Sequence, residues 1–364
     1  MSKSIRHLRH AAGSLLVVGL SGTEVTKLER SWLKLVRPSG VILFKRNIVD
    51  AKQTRAVLTD ATQFSIDAAM RCVDIEGGTV DRLRDALAPM PSARAVAETG
   101  KIGLMRKHGE LIAREAKAFG FNTTLAPVLD LALPASQGVM GTRASSATAE
   151  GVVKYARAFL AGLHGHGVVG CGKHFPGLGG SICDSHLETP TIPRRWSDLW
   201  REDLAPYREL VMELPMVMVN HASYPNTQGG EVPATASQFW STTVLQKRIG
   251  YQGLIFSDDM EMGGILKYLP MEEAAIAALR AGIHMLEICH SAELILRCYE
   301  SLIHEGERSV VFRRLLLSRA AAAAKLRQAR FGRPMSRALT GMQLGNLREQ
   351  VLRFRKTVEG GQTA

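Results

Sequence analysis

The chain has no Cys-x-x-Cys pair, no Gly-x-Gly-x-x-Gly at a strand-to-helix junction and no Walker A loop. A zinc knuckle, a redox dithiol and a nucleotide site built on those motifs are therefore unsupported. Aromatic residues are scarce, at 6%. No basic run is interleaved with them, so a nucleic-acid module is not expected despite a net charge of +12. No stretch approaches the ~20 apolar residues that span a bilayer. Nor does any low-complexity linker, or any repeat beyond a strand–helix alternation, divide the 364 residues.

What is present is ordinary globular material, 46% hydrophobic and 22% charged, enough for a large core. The five cysteines, Cys72, Cys171, Cys183, Cys289 and Cys298, are odd in number and mostly embedded in apolar runs. Free thiols in a reducing compartment are expected. The N-terminus admits two readings. Lys3, Arg6 and Arg9 followed by the apolar residues 11–19 can pass for a signal peptide or for a first buried strand. The run is short and lacks an Ala-x-Ala site, so it reads equally well as the strand, and a cytoplasmic protein is expected. A monomer is expected, with neither nucleic acid nor membrane as a partner.

Short apolar segments recur along the chain at residues 14–20, 40–44, 70–75, 124–131, 168–172, 215–220, 253–257 and 284–289. They lack strict alternation, as parallel strands covered on both faces do. Amphipathic stretches lie between them at 105–118, 148–164, 197–214, 271–281 and 292–305. The pattern predicts an α/β fold, a single-domain (β/α)8 TIM-type barrel, with a doubly wound sheet as the alternative. Residues 1–331 would form the barrel domain, closed by a helix over 310–330. Residues 332–364 would add a basic peripheral helix and a frayed tail.

Polar groups gather where these strands end. The third is followed by Asp74, Glu76, Gly77, Gly78 and Arg82, and the fourth by Asp130 and then Arg143. The fifth ends before Lys173-His174-Phe175-Pro176-Gly177-Leu178-Gly179, with Asp184 and His186 farther along the same loop. The sixth leads to Asn220-His221 and the seventh to Asp258-Asp259. Charged groups at buried strand ends are costly unless paired or used. Some have plain structural readings: Asp130 as a loop cap, Glu76 as part of a turn, Asn220-His221 as loop-ordering groups, and Asp259 and Glu261 as peripheral carboxylates. Adjacent strand residues point to opposite faces, so Asp258 and Asp259 are not expected to share a metal. Asp184 and His186 alternate along a loop. A carboxylate that accepts from one imidazole nitrogen sets the basicity of the other, as a general acid/base requires. A carboxylate at the place of Asp258 can attack an anomeric carbon.

In order along the chain, Asp74-x-Glu-Gly-Gly-x-Val-x-Arg82, Ala126-Pro127-Val128-Leu129-Asp130, Gly141-x-Arg143, Lys173-His174-Phe175-Pro176-Gly177, His186 and Ser257-Asp258-Asp259-Met260 resemble the motifs of the β-N-acetylglucosaminidases of glycoside hydrolase family three. The resemblance runs from about residue 13 to 330. It implies a retaining exo-glycosidase with Asp258 as nucleophile and His186, paired with Asp184, as general acid/base. Asp74, Arg82, Arg143, Lys173 and His174 would hold a terminal N-acetylglucosamine. It implies no metal and no organic cofactor, and muropeptides of cell-wall recycling as substrate. The chain departs from the family pattern at Leu178, where a histidine is common, at Ala144-Ser145-Ser146, and at His284. A β-glucosidase, a phosphorolytic relative and a catalytically silent sugar-binding protein are the alternative readings.

Overall fold

The computed structural model of the protein describes residues 3–65, 68–181 and 189–360. Ten strands are present among them: β1 (Leu16–Gly19), β2 (Gly40–Leu43), β3 (Met70–Val73), β4 (Ile75–Gly77), β5 (Val80–Asp81), β6 (Thr123–Thr124), β7 (Val169–Phe175), β8 (Met216–Val219), β9 (Leu254–Asp259) and β10 (Met285–Ile288). Eight of these close into a barrel in the order β1-β10-β9-β8-β7-β6-β3-β2, while β4 and β5 form a separate two-stranded sheet. Every pairing within the barrel is parallel. The doubly wound alternative is thereby excluded. The seam is tight: a β-carbon on Gly19 of β1 would come within 1.8 Å of the Cys289 carbonyl oxygen just past β10.

The strands form where apolar residues can be covered twice, by the barrel interior and by the surrounding helices. Side-chain caps start several of those helices. Thr26 and Glu29 make a reciprocal capping box, and Asp50, Ser92, Thr148, Ser291 and Ser309 each accept from a first-turn N–H. Gly120, at φ 95°, ends the helix Ile102–Phe119 in the left-handed region. The helix Val310–Phe331 sends the buried Arg327 toward the N-terminal end of the barrel, where Nη1 donates to the Ser14 carbonyl at 2.8 Å.

Four expectations need correction. Residues 11–13 belong to a helix, Lys3–Gly13, and not to the first strand. The fourth strand pairs only through Thr123–Thr124, with a single further bridge from Val128 to Lys173; Pro127 has no N–H to give a ladder. The stretch 197–214 is broken into the short helical pieces Trp196–Asp198, Leu199–Asp203 and Ala205–Glu209, Pro206 standing where one continuous helix would need an N–H. The fifth strand, read as ending at Gly172, continues to Phe175. Beyond the barrel, the helix Gly341–Gly360 buries Leu347, Val351, Phe354 and Val358. Phe354 stacks on His108 of the helix Ile102–Phe119, with ring centroids 5.9 Å apart.

Candidate active site

A cavity of about 460 Å³ opens among the C-terminal ends of the barrel strands, bounded by Asp74, Arg82, Arg143, Lys173, His174, Asp258, Asp259 and Glu287 among others. Two backbone irregularities build it. Between β7 and β8 the register advances from Gly172↔Val217 to Phe175↔Val219, so β7 carries one extra residue. Between β9 and β10 it advances from Phe256↔Met285 to Asp259↔Glu287, so β9 does the same. A bulge re-aims side chains that strict alternation would send to opposite faces. Lys173 and His174 therefore both reach the cavity, and so do Asp258 and Asp259. The expected divergence of Asp258 from Asp259 is corrected accordingly.

Lys173 is buried and lies between two carboxylates, with Nζ 2.9 Å from Asp74 Oδ1 and 2.7 Å from Glu76 Oε1. Arg143 forks onto Glu76 through Nε at 2.8 Å and Nη2 at 2.9 Å. Arg82 approaches Asp74 at 3.6 Å. Burial opposes ionisation of Glu76, but Arg143 and Lys173 outweigh it and hold the carboxyl far below its usual range. Burial likewise opposes the charge on Lys173, and Asp74 and Glu76 overcome it. The result is a charged network in which Lys173, Arg143, Asp74 and Glu76 satisfy one another. Glu76 thus belongs to this network as well as to the β4–β5 turn.

Asp130 is more than a loop cap. One of its oxygens accepts from the His174 backbone N–H at 3.1 Å and lies 2.6 Å from His174 Nδ1; the other accepts from Leu178 N–H at 2.6 Å. Asn220 donates to the His174 carbonyl at 2.9 Å, consistent with a loop-ordering role. His221 bridges the Asp259 carbonyl through Nε2 at 3.0 Å and Thr235 Oγ1 through Nδ1 at 2.9 Å. Leu178 is buried against the cavity, and its anchor to Asp130 is its backbone, so the loop start is held without a histidine there.

Asp258 lies at the end of β9, partly enclosed, with Oδ1 accepting from Asp259 N–H at 2.9 Å. Burial pushes its carboxyl up, but His174, His221, the Asp259 N–H and Lys173 together draw it below the ordinary aspartate range. It is a carboxylate in a cavity, unshielded by a direct ion pair of its own among the described residues. Asp259, Glu261 and His290 form a neighbouring cluster in which His290 Nδ1 is 2.8 Å from Glu261 and 3.5 Å from Asp259. Their ligand atoms lie close enough to embrace one cation, and as they stand His290 Nδ1 faces both carboxylates, which raise its pKa above the ordinary histidine value. Asp184 and His186 lie outside the described residues, as does Cys183. The other four cysteines are buried free thiols. His284 stands apart from the cavity at the start of β10, where its Nδ1 accepts from Ile255 N–H at 3.1 Å; burial takes its pKa down to about 4.

Residues 7–313 match the glycosyl hydrolase family 3 N-terminal domain. The chain belongs to glycosyl hydrolase family 3. Within that family it is 39% identical over 292 residues to a beta-hexosaminidase of Alkalilimnicola ehrlichii, an alignment covering 77% of this chain and 82% of that one. Its fold superposes on a family 3 beta-N-acetylglucosaminidase from Paenibacillus sp. str. FPU-7 with a TM-score of 0.85 at 27% identity, over 96% of this chain and 68% of that one. NagZ from Neisseria gonorrhoeae, solved with N-trifluoroacetyl-D-glucosamine, gives a TM-score of 0.77 at 26% identity, over 94% and 98% of the two chains. The family 3 barrel accounts for the strand-end placement of the whole cluster. Glu287 and His290 border the cavity without standing in any of the linear motifs, and Asp130 stands in one but reads from the sequence only as a loop cap. Glu287 is hidden in an apolar run, and Asp130 becomes informative only once His174 is seen beside it.

Proposed function

We propose that this chain is a retaining exo-glycosidase that hydrolyses terminal, non-reducing β-N-acetylglucosamine. The enzyme class, β-hexosaminidase, is that of its curated relatives. The observation that carries the reading is Asp258: an ionised carboxylate at a strand end, in a cavity of about 460 Å³, facing a network of fixed polar groups. In this reading Asp74, Arg82, Arg143, Lys173 and His174 hold the sugar hydroxyls and the acetamido group. Asp258 attacks the anomeric carbon, the glycosidic C–O bond breaks, and the departing oxygen takes a proton from His186. Water then attacks the glycosyl-Asp258 ester, giving its proton back to His186, and the sugar leaves with its configuration retained. The assignment of His186 and its partner Asp184 rests on the motif alone. Muropeptides are the proposed natural substrates and the cytoplasm the proposed location, with residues up to about 331 forming the catalytic domain. Among the described residues no helix is long and apolar enough to cross a membrane.

The test is turnover of a chromogenic β-N-acetylglucosaminide, with the matching β-glucoside as control. Asp258→Ala is expected to lose at least about 1000-fold in kcat, and His186→Ala about 100-fold or more. Turnover that survives Asp258→Ala would remove Asp258 from the reaction. A folded wild type that binds N-acetylglucosamine without hydrolysing any glycoside would be a silent binding protein.

A further inference from the structure

The proposed reaction gives Glu287, which borders the cavity, no task. Glu287 lies in β10, 2% exposed, and borders the cavity together with Asp74, Asp258 and Asp259. Its backbone is fixed on both sides: its N–H donates to Ser257 Oγ at 3.0 Å, and its carbonyl accepts from Met260 N–H at 2.8 Å, at the bulge of β9. The Cys289 thiol lies 3.6 Å from Oε1, which acts as acceptor. Lys173, a cation that could neutralise it, is already held between Asp74 and Glu76. A buried carboxyl group among carboxylates cannot be tolerated as a further anion without a partner. Burial first, and then Asp74, Asp259 and Asp258, push Glu287 well above the usual carboxylate range. A carboxylic acid that keeps its proton is a hydrogen-bond donor, which the neighbouring aspartates are not.

We propose that Glu287 is a specificity-determining residue of this pocket, its carboxyl group donating a hydrogen bond to an oxygen of the bound sugar. The assignment rests on the glycosidase reading above. It makes the pocket floor a matched pair of surfaces: carboxylates that accept from sugar hydroxyls, and one acid that donates. A sugar presenting no acceptor there would leave a buried donor unpaired and be rejected.

The experiment compares wild type with Glu287→Gln and Glu287→Leu. It measures kcat and KM on a chromogenic β-N-acetylglucosaminide, the Kd of N-acetylglucosamine by calorimetry, and the melting midpoint. Glu287→Leu is expected to raise KM and Kd about 10-fold, the loss of one hydrogen bond to ligand, while its midpoint equals or exceeds that of wild type. Glu287→Gln retains an N–H donor of similar shape and is expected to stay within about 3-fold of wild type. Should the leucine variant not fold, Glu287→Ala takes its place. Wild-type affinity and turnover in the leucine or alanine variant overturns the proposal, and so does a glutamine variant as impaired as leucine. A wild type that binds the sugar without hydrolysing glycosides would sink the glycosidase reading, while calorimetry still decides the role of Glu287.

Discussion

The two ring nitrogens of His174 face different partners. Nδ1 lies 2.6 Å from Asp130, while Nε2 faces the Arg143 guanidinium at 3.3 Å. Arginine can only donate, so the network assigns the proton to Nδ1 and the lone pair to Nε2. Asp130 therefore fixes the tautomer and the orientation of a ring that borders the cavity, and with its second oxygen it anchors the loop start at Leu178 N–H. Asp130→Ala should cost about 10–100-fold in kcat/KM, the range seen when a carboxylate that orients a functional imidazole is removed. Steady-state kinetics on the chromogenic N-acetylglucosaminide checks this. An unchanged kcat/KM would show that neither the ring's orientation nor the loop anchor matters to turnover. Glu287 belongs to this scale too. A single carboxyl inside Met285–Ile288 is easy to pass over in the sequence, because its three neighbours make the segment read as plain core.

At the scale of elements, apolar runs located seven of the eight barrel strands because a parallel strand covered on both faces has little room for anything else, while the run at 124–131 meets the fourth strand only at Thr124. The bulges in β7 and β9 were not legible. The first carries Lys173-His174 and the second Ser257-Asp258, just before the paired Asp259, and in sequence such polar neighbours look like the start of a loop or like two opposite faces. What keeps the first pair in strand geometry is partners supplied from far away: Asp74 stands 99 residues before Lys173 and Asp130 stands 44 before His174. No local pattern encodes them. The helix Ile102–Phe119 holds another such surprise in Glu115, fully buried, with neither carboxyl oxygen hydrogen-bonded. Burial, and then Asp81, raise its pKa well above the ordinary glutamate value. Between the unfolded pKa of about 4.3 and that raised folded value the unfolded chain has released the proton and the folded one has not, so stability falls as pH rises. Glu115→Gln removes that loss. The variant's gain in melting midpoint over wild type should be small near pH 4.5 and larger at pH 7.5. A pH-independent difference would mean that the buried carboxyl does not titrate as argued.

For the molecule as a whole, the net charge of +12 does not collect around the cavity. Arg82, Arg143 and Lys173 are balanced there by Asp74, Asp258 and Asp259, with Glu76 behind them. Arg6, Arg9, Lys34 and Arg37 instead border a separate cavity of about 750 Å³ near where the chain enters β1 and β2, at the opposite end of the barrel. Hydrolysis of an uncharged chromogenic glycoside should accordingly change less than about 2-fold between 50 and 500 mM salt, because buried pairs are screened far less than exposed ones. A steep decline on the neutral substrate would show that long-range attraction is at work at the site. The seam of the barrel has a consequence for how the molecule is made. Leu16 of β1 takes Leu286 of β10 as its neighbour, a pairing that spans 270 residues (286 − 16). During synthesis β1 can meet β2 early, but its other edge must wait until nearly four-fifths of the chain has left the ribosome. Until then the nascent sheet carries two open parallel edges, the kind of surface on which stray chains pair. A ribosome that stalls before residue 288 would therefore release a sticky intermediate, and the pace of translation becomes part of how this protein avoids aggregation.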